Sequence, residues 1–257
     1  MAFLGLRFSR GLESLSRAAA LASFTPKDLE ALSVNEWEAF ADSSADGDDL
    51  FPWEKNFYAA HIRPGDSILV VGAGTGRDVL PFLQAGHKVT AMDITPRALA
   101  TLSERARARR HESALTVTEA SIASATLAAD SFDIVLFSWF CIGYVPGAAG
   151  RAAALAHASA AIRTGGQILL SYIPWQSGLD SARVARPVGR FLAKALGGMA
   201  AEEGDHVNVT GSAARPAVFL SHTFRPSEIE DAVRAAGLTI RFHDQPTPAI
   251  GRLALTR

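Results

Sequence analysis

The sequence predicts an α/β fold: a mostly parallel sheet with helices on both faces. Three observations carry this. From Gly65 onward, short apolar runs alternate with helical stretches. The turns between them are short, as expected when each strand returns through a crossover helix. The first apolar run, Ile68-Leu69-Val70-Val71, breaks straight into Gly72-Ala73-Gly74-Thr75-Gly76. Strands are expected near 67–72, 88–93, 114–119, 132–138 and 166–173, and helices near 76–85, 96–109 and 150–163. Gly86 and Gly165 read as the left-handed residues that stop the first and third helices. Thr95-Pro96 caps and opens the second.

Around this core the pattern changes. Residues 1–60 read as helical. Thr25-Pro26-Lys27-Asp28 supplies an N-cap, a first-turn proline and an acid suited to the helix dipole. Trp37 and Phe40 give that region an apolar stripe, and a polar loop at 43–49 leads into a helix that starts near 50. Residues 174–216, with Pro174, Pro187 and several glycines, read as an insertion over the carboxyl edge of the sheet, with a helix near 182–196. Regularity returns with a strand at 217–224, a helix at 226–236 closed by Gly237, and strands at 238–244 and 250–256. The expected organisation is a helical cover or substrate cap (1–60) on a main domain (61–257).

Bulk properties narrow the function. The chain has 257 residues with 25 Lys and Arg against 26 Asp and Glu, a net charge of −1. A chain this long buries roughly 70–75% of its unfolded surface and needs no disulfide or metal to be stable. Its single cysteine, Cys141, excludes an intrachain disulfide framework and suits a reducing cytoplasm. No extended basic face suggests nucleic acid, and no apolar run reaches membrane-spanning length. The N-terminal stretch, with Arg7, Arg10 and Arg17 against Glu13, reads either as a capping helix or as a targeting segment. Oligomeric state is not readable.

The glycine turn carries the chemistry. Seventeen residues after Gly76, a second apolar run ends on Asp93. Strand, glycine loop, helix, strand and acid form the layout that holds a nucleoside-containing cofactor. A dinucleotide-binding turn is usually G-x-G-x-x-G; here the spacing is G-x-G-x-G, and Arg77 stands where that third glycine would fall. This spacing resembles motif I of the class I S-adenosylmethionine-dependent methyltransferases. Ser131-Phe132-Asp133-Ile134-Val135 resembles that family's fourth strand, and Arg163-Thr164-Gly165-Gly166-Gln167-Ile168-Leu169 its turn into strand five. The resemblance covers roughly residues 60–173.

That resemblance implies a Rossmann-like, seven-stranded sheet with an antiparallel last hairpin, S-adenosylmethionine as cofactor and methyl transfer to a small-molecule acceptor. Gly72, Ala73, Gly74 and Gly76 are then expected under the methionine portion and ribose, and Asp93 with Ile94 at the ribose hydroxyls. Asp78 faces the cofactor ammonium or serves as a first-turn acid. Ser121, followed by Ile122, stands where the family's adenine-binding Asp usually falls, with Glu119 as substitute if the register shifts. Ser138 and Trp139 follow strand four, beside the expected sulfonium, and Tyr144 is the candidate for orienting the acceptor. His222 is read as an acceptor base or a sheet-end histidine. Trp53, Phe57, Tyr58 and Phe140 are expected around the substrate. Cys141 reads as a structural thiol, and the seven histidines include no pair at helical metal spacing. Two alternatives remain: a nicotinamide-dependent oxidoreductase, and a regulatory protein that binds S-adenosylmethionine without turnover.

Overall fold

The computed structural model describes residues 14–16, 18–43, 49–175, 182–212 and 215–257. The predicted parallel core is present. β1 (Ser67–Val71) lies at the centre, between β2 (Lys88–Asp93) and β4 (Phe132–Phe137). Outside β2 runs β3 (Leu115–Glu119), and outside β4 run β5 (Ile162–Tyr172), β9 (Ile250–Thr256) and β8 (Thr239–Thr247). The seven-strand order is β3-β2-β1-β4-β5-β9-β8, with only β9 and its two pairings antiparallel. β2 and β3 follow on one side of β1 and β4 and β5 on the other, all parallel, so the strand order reverses at β1 and leaves a crevice at its carboxyl end.

The central strands β1 and β4 are buried on both faces, while the edge strand β3 is largely exposed. In β1, Leu69 and Val71 enter one apolar cluster with Val135, Phe137, Ile168 and Leu170. Ile68 and Val70 enter the opposite cluster with Val89, Ala91, Ile134 and Leu136. A third cluster lies away from the sheet. There, Leu29 of α1 (Pro26–Ser43) packs with Val218 and Leu220. The next helix, α2 (Pro52–His61), enters the second cluster through Phe57 and Tyr58. α3 (Val79–Gln84) and α4 (Pro96–Ala108) cover that same face through Leu80, Leu83, Leu99 and Leu102. α5 (Gly147–Ala161) covers the other face through Ala154, Leu155 and Ala158.

The structure adds to one expectation and corrects two. The strand expected at 217–224 is present and lies outside the main sheet. As β7 (Arg215–His222) it pairs antiparallel with β6 (Asp205–Ser212), a segment whose polarity gave no strand signal. This two-stranded ribbon follows α6 (Ala182–Leu196) and packs against α1. The returning chain then forms α7 (Pro226–Ala235) before the final hairpin. Secondly, Gly165 does not end a helix. α5 stops at Ala161, and β5 starts at once. Gly165 (φ +83°) sits inside the start of β5, where the pairing with β4 shifts register. Thirdly, Thr95 occupies the N-cap position of α4 with no side-chain cap bond. The expectations for residues 1–13, 17 and 44–48 lie outside the described residues, as does the side chain of Phe40.

The second glycine of the pair, Gly166, has its own reason. A Cβ there would stand 2.7 Å from the Asp133 carbonyl oxygen and 3.1 Å from that of Arg163. Both are backbone atoms, and the strand is anchored: Asp133 accepts bonds from the Ser67 amide and hydroxyl and from Arg163, each 2.8 Å long. These bonds outweigh burial and hold the Asp133 carboxyl below its usual range. Gly166→Ala is therefore expected to destabilise the fold by about 1–3 kcal/mol, the usual cost of forced overpacking. Urea denaturation checks this, and an unchanged midpoint would show that the strands relax freely.

Candidate active site

The carboxyl ends of β1, β2 and β4 meet at the crevice. At the end of β1 the chain must turn sharply under the neighbouring strand. The amides of Gly72 and Ala73 both donate to the Met92 carbonyl, at 2.9 and 3.1 Å. Gly72 takes φ +74°, and a Cβ there would meet the Cys141 sulfur at 2.7 Å. Gly74, at φ +51°, has nothing within 4 Å of the corresponding position, so its side toward the crevice is open. Gly76 (φ +102°) is close to Leu102 of α4, making it a helix-packing glycine.

Asp93, the last residue of β2, braces this loop. One carboxylate oxygen accepts the Gly74 amide at 2.8 Å and the other accepts the Thr95 amide at 2.8 Å. Burial raises its pKa, opposed by those amide donors. Each oxygen retains a lone pair for a ligand hydroxyl. Nearby, the buried Thr95 hydroxyl has no hydrogen-bond partner among the described residues. A polar group left unpaired in a wall of this kind fits a site that receives a hydroxyl-bearing ligand.

A cavity of about 410 Å³ opens above these residues. Of the residues singled out from sequence, Gly72, Ala73, Gly74, Asp93, Ile94, Ser121, Ile122, Ser138, Trp139 and Tyr144 line it. Gly76, Asp78, Trp53, Phe57, Tyr58, Phe140 and His222 do not. Phe57 and Tyr58 belong to the core beneath α2. Trp53 and Phe140 stack on one another, with ring centroids 6.2 Å apart and planes 13° from parallel. The 139–140 turn is strained: Trp139 and Phe140 hold φ +27° and +57°, which side-chain-bearing residues adopt rarely. The turn leads into the 3₁₀ turn Cys141–Tyr144, which brings Tyr144 to the cavity. Burial pushes the Cys141 thiol and the Tyr144 phenol up to about 12, leaving both protonated near neutrality.

Asp78 lies below the cavity floor, 1% exposed. It accepts the Ser138 hydroxyl at 2.6 Å and stands 2.6 Å from the Arg77 guanidinium. Desolvation raises its pKa to about 6, with Arg77 opposing. Arg77 itself makes a two-pronged pair with Glu54 of α2, at 2.5 and 2.8 Å. Its guanidinium also lies 4.9 Å from the ring centres of both Phe51 and Trp139. Position 77 was noted in the sequence only as a missing glycine. Its pairing with Glu54 depends on α2 lying against the loop, which no motif reveals.

The far wall was also missed. Glu30, Ser33, Glu36 and Trp37 of α1 face the cavity, and Phe219 of β7 joins them. The Ser33 hydroxyl donates to the Val218 carbonyl at 3.1 Å, fixing helix to ribbon. Trp37 lies 4.9 Å from Tyr144 and 5.6 Å from Phe219, centre to centre. Helical spacing of 30, 33 and 37 marks one face of α1, and that was the available signal. Nothing in the sequence assigns β7 to this wall.

His222, a candidate base from sequence, is spent elsewhere. Its Nδ1 lies 2.7 Å from Asp205 and its Nε2 2.7 Å from Glu228. Glu202 and Glu228 bring potential ligand atoms near Nε2, but Arg151 already pairs with Glu202. Burial alone would lower the His222 pKa; the bonds to Asp205 and Glu228 outweigh it and raise the value above 6.5. A raised histidine pKa gives stability that is complete below about 6.5 and lost as pH rises through the folded value. The urea midpoint of the protein should therefore fall above pH 6.5, and His222→Gln should flatten that slope. An identical slope in the variant would remove His222 as its source.

Comparison with known proteins agrees with this geometry. Residues 68–166 match the family model described as "Methyltransferase domain". No curated protein matches. Among solved structures, a SAM-dependent methyltransferase from Methanosarcina mazei is 18% identical, with a TM-score of 0.61 over 81% of this chain and 98% of that one. The CcbJ methyltransferase from Streptomyces caelestis is 14% identical, with a TM-score of 0.63 over 87% and 97%. The Burkholderia thailandensis 1,6-didemethyltoxoflavin-N1-methyltransferase, solved with 1,6-didemethyltoxoflavin and S-adenosylhomocysteine bound, is 19% identical, with a TM-score of 0.59 over 89% and 91%. At these identities the structures show a shared fold; the family match and the order of the motifs go further. They favour the methyl donor over a nicotinamide: residues 68–166 are similar to the methyltransferase domain, and the cofactor is S-adenosylmethionine.

Proposed function

We propose that the enzyme methylates a small-molecule acceptor held between the glycine loop and the wall formed by α1 and β7. One observation carries this reading: the donor site and the α1 face line a single cavity. Its size lies in the range of small-molecule sites, and the cofactor takes a large part of it. Among the described residues Arg77 is the only cation in its lining, and Arg77 is already paired, so no basic groove is available for a nucleic acid. The small bound acceptor of the Burkholderia neighbour supports the same scale. On this reading residues 1–60 act as a substrate cap. The single cysteine suits a cytoplasmic setting.

S-adenosylmethionine supplies a methyl group on a sulfonium, which is already an activated leaving group. The protein's work is therefore positioning, and orientation of reactants supplies roughly 7–11 kcal/mol. Asp93 accepts the ribose hydroxyls while its amide bonds keep the carboxylate aimed. Gly72, Ala73 and Gly74 let the backbone approach the methionine portion, and Thr95 offers its unpaired hydroxyl. Ser121 and Ile122 flank the adenine, with the serine replacing a carboxylate. Ser138, held by Asp78, and Trp139, stacked by Arg77, border the reacting end. Tyr144 orients the acceptor as a neutral hydroxyl. With α1 and the ribbon over the cavity, water is kept from the transfer.

Asp93→Ala is expected to weaken S-adenosylmethionine binding at least about tenfold, since each charge-assisted bond contributes roughly 1.5–3 kcal/mol. Calorimetry checks this, and an unchanged affinity would sink the ribose assignment. Tyr144→Phe should leave that affinity within about twofold while lowering methyl transfer, because the hydroxyl acts on the acceptor.

A further inference from the structure

A surface helix ordinarily turns its large apolar side chains inward and its small or polar ones outward. From residue 187 onward, α6 does the reverse. Gly189 and Ala193, four positions apart, are buried, and a Cβ on Gly189 would stand 3.0 Å from the Ala18 Cβ. Just past the helix, the Met199 amide donates to the Phe24 carbonyl at 2.8 Å. Met199 also enters the apolar cluster of Leu21, Leu29 and Val218, which fastens α6 to the wall formed by α1 and β7. The large side chains point away from that contact. Val188, Phe191 and Leu196 are 44%, 73% and 60% exposed, three of the six exposed large hydrophobics among the described residues. The charge of the helix is as one-sided. Its fifteen residues hold Arg183, Arg186, Arg190 and Lys194 and no acid, in a chain whose net charge is −1. Spacings of three, four and four set these positions along one side of the helix, beside the apolar face. Arg190 and Lys194 are exposed and make no ion pair or hydrogen bond with another described residue.

We infer that α6 is a docking helix for an anionic lipid surface, lying in the membrane plane with Val188, Phe191 and Leu196 toward the acyl chains and its cations at the headgroups. Apolar and cationic positions on adjoining faces are what an interfacial helix presents. Long basic side chains reach from the edge of the inserted strip to the headgroups, and an anionic leaflet attracts each of them. Fifteen residues carrying four charges are too short and too polar to span the hydrocarbon core, so the helix lies on the membrane. A second copy of this chain is a poorer occupant of the same face. Two such helices set cation against cation, and neither carries an acid to answer them. Nucleic acid would satisfy the cations and leave Phe191 in water. Because α6 is fastened to the α1–β7 wall, docking sets the capped side of the molecule toward the lipid.

The test sediments the full chain with vesicles of phosphatidylcholine, and with vesicles of phosphatidylcholine and phosphatidylglycerol in equal parts. Binding to the anionic vesicles is expected to be at least about tenfold tighter than to the neutral ones, and to weaken as salt is raised. Arg190→Gln combined with Lys194→Gln should weaken it at least about tenfold, since each cation near the surface contributes about fivefold. Phe191→Ser should weaken it by a similar factor and leave its salt dependence in place. All three side chains are exposed and lie outside the cavity lining, so the urea midpoint of each variant should match that of the unaltered protein, which shows that the variants are folded. Equal binding to both kinds of vesicle, binding to neither, or binding indifferent to both variants would overturn the inference. So would a dimer, seen by sedimentation equilibrium, that Phe191→Ser dissolves, because that result assigns the face to a second copy.

Discussion

Glu54 is a fully buried carboxylate on α2, and the geometry of the active site depends on the partner it requires. An unpaired charge at that depth would be prohibitive, so the Arg77 guanidinium must come to it. Arg77 is the residue after the last glycine of the loop, and the pair ties the N-terminal helix to the cofactor turn. The same guanidinium reaches Asp78, which holds the Ser138 hydroxyl at the end of β4. One chain of charge-assisted bonds thus connects α2, the glycine loop and the two central strands. Removing either member of such a pair typically costs about 3–5 kcal/mol, because the other is left buried and charged.

Around that chain, rigid and adaptable parts divide the labour. Asp93 is braced by two backbone amides, which fix its carboxylate at the mouth of the glycine loop. The 139–140 turn is held in a strained conformation, with Phe140 stacked on Trp53 and its amide bonded to the Ser171 hydroxyl. Strain of this kind persists only where the surroundings over-determine it. Here it sends the chain into the 3₁₀ turn that carries Tyr144. The opposite wall rests on different contacts, the apolar cluster between α1 and the ribbon and the Ser33 bond. The two walls of the cavity are built from separate parts of the chain.

How much was legible follows from this division. The parallel core, the glycine turn, Asp93 and the last hairpin were readable because each is local. A buried strand is a run of apolar residues, and a tight turn needs glycine within a few positions. Gly165 was misplaced because a left-handed glycine reads the same at a helix end and inside a bulged strand. The β6–β7 ribbon was missed in part because its first strand is polar and pairs at an edge, without alternation to mark it. His222 looked like a base since it follows an apolar strand, but its two carboxylate partners come from Asp205 and Glu228, on elements that only folding brings together.

The sequence by itself determined the sheet, the position of the donor loop and the acid that ends β2. Those features rest on backbone conformation and burial over a few adjacent residues. The tertiary structure alone decided that Arg77 faces Glu54 rather than solvent, that Asp78 lies under the floor, and that Phe57 and Tyr58 are core. It alone brought Glu30, Trp37 and Phe219 to one wall, across nearly 200 residues of chain. Side-chain charges and rings act through space, so the character of this wall exists only once distant segments are packed together.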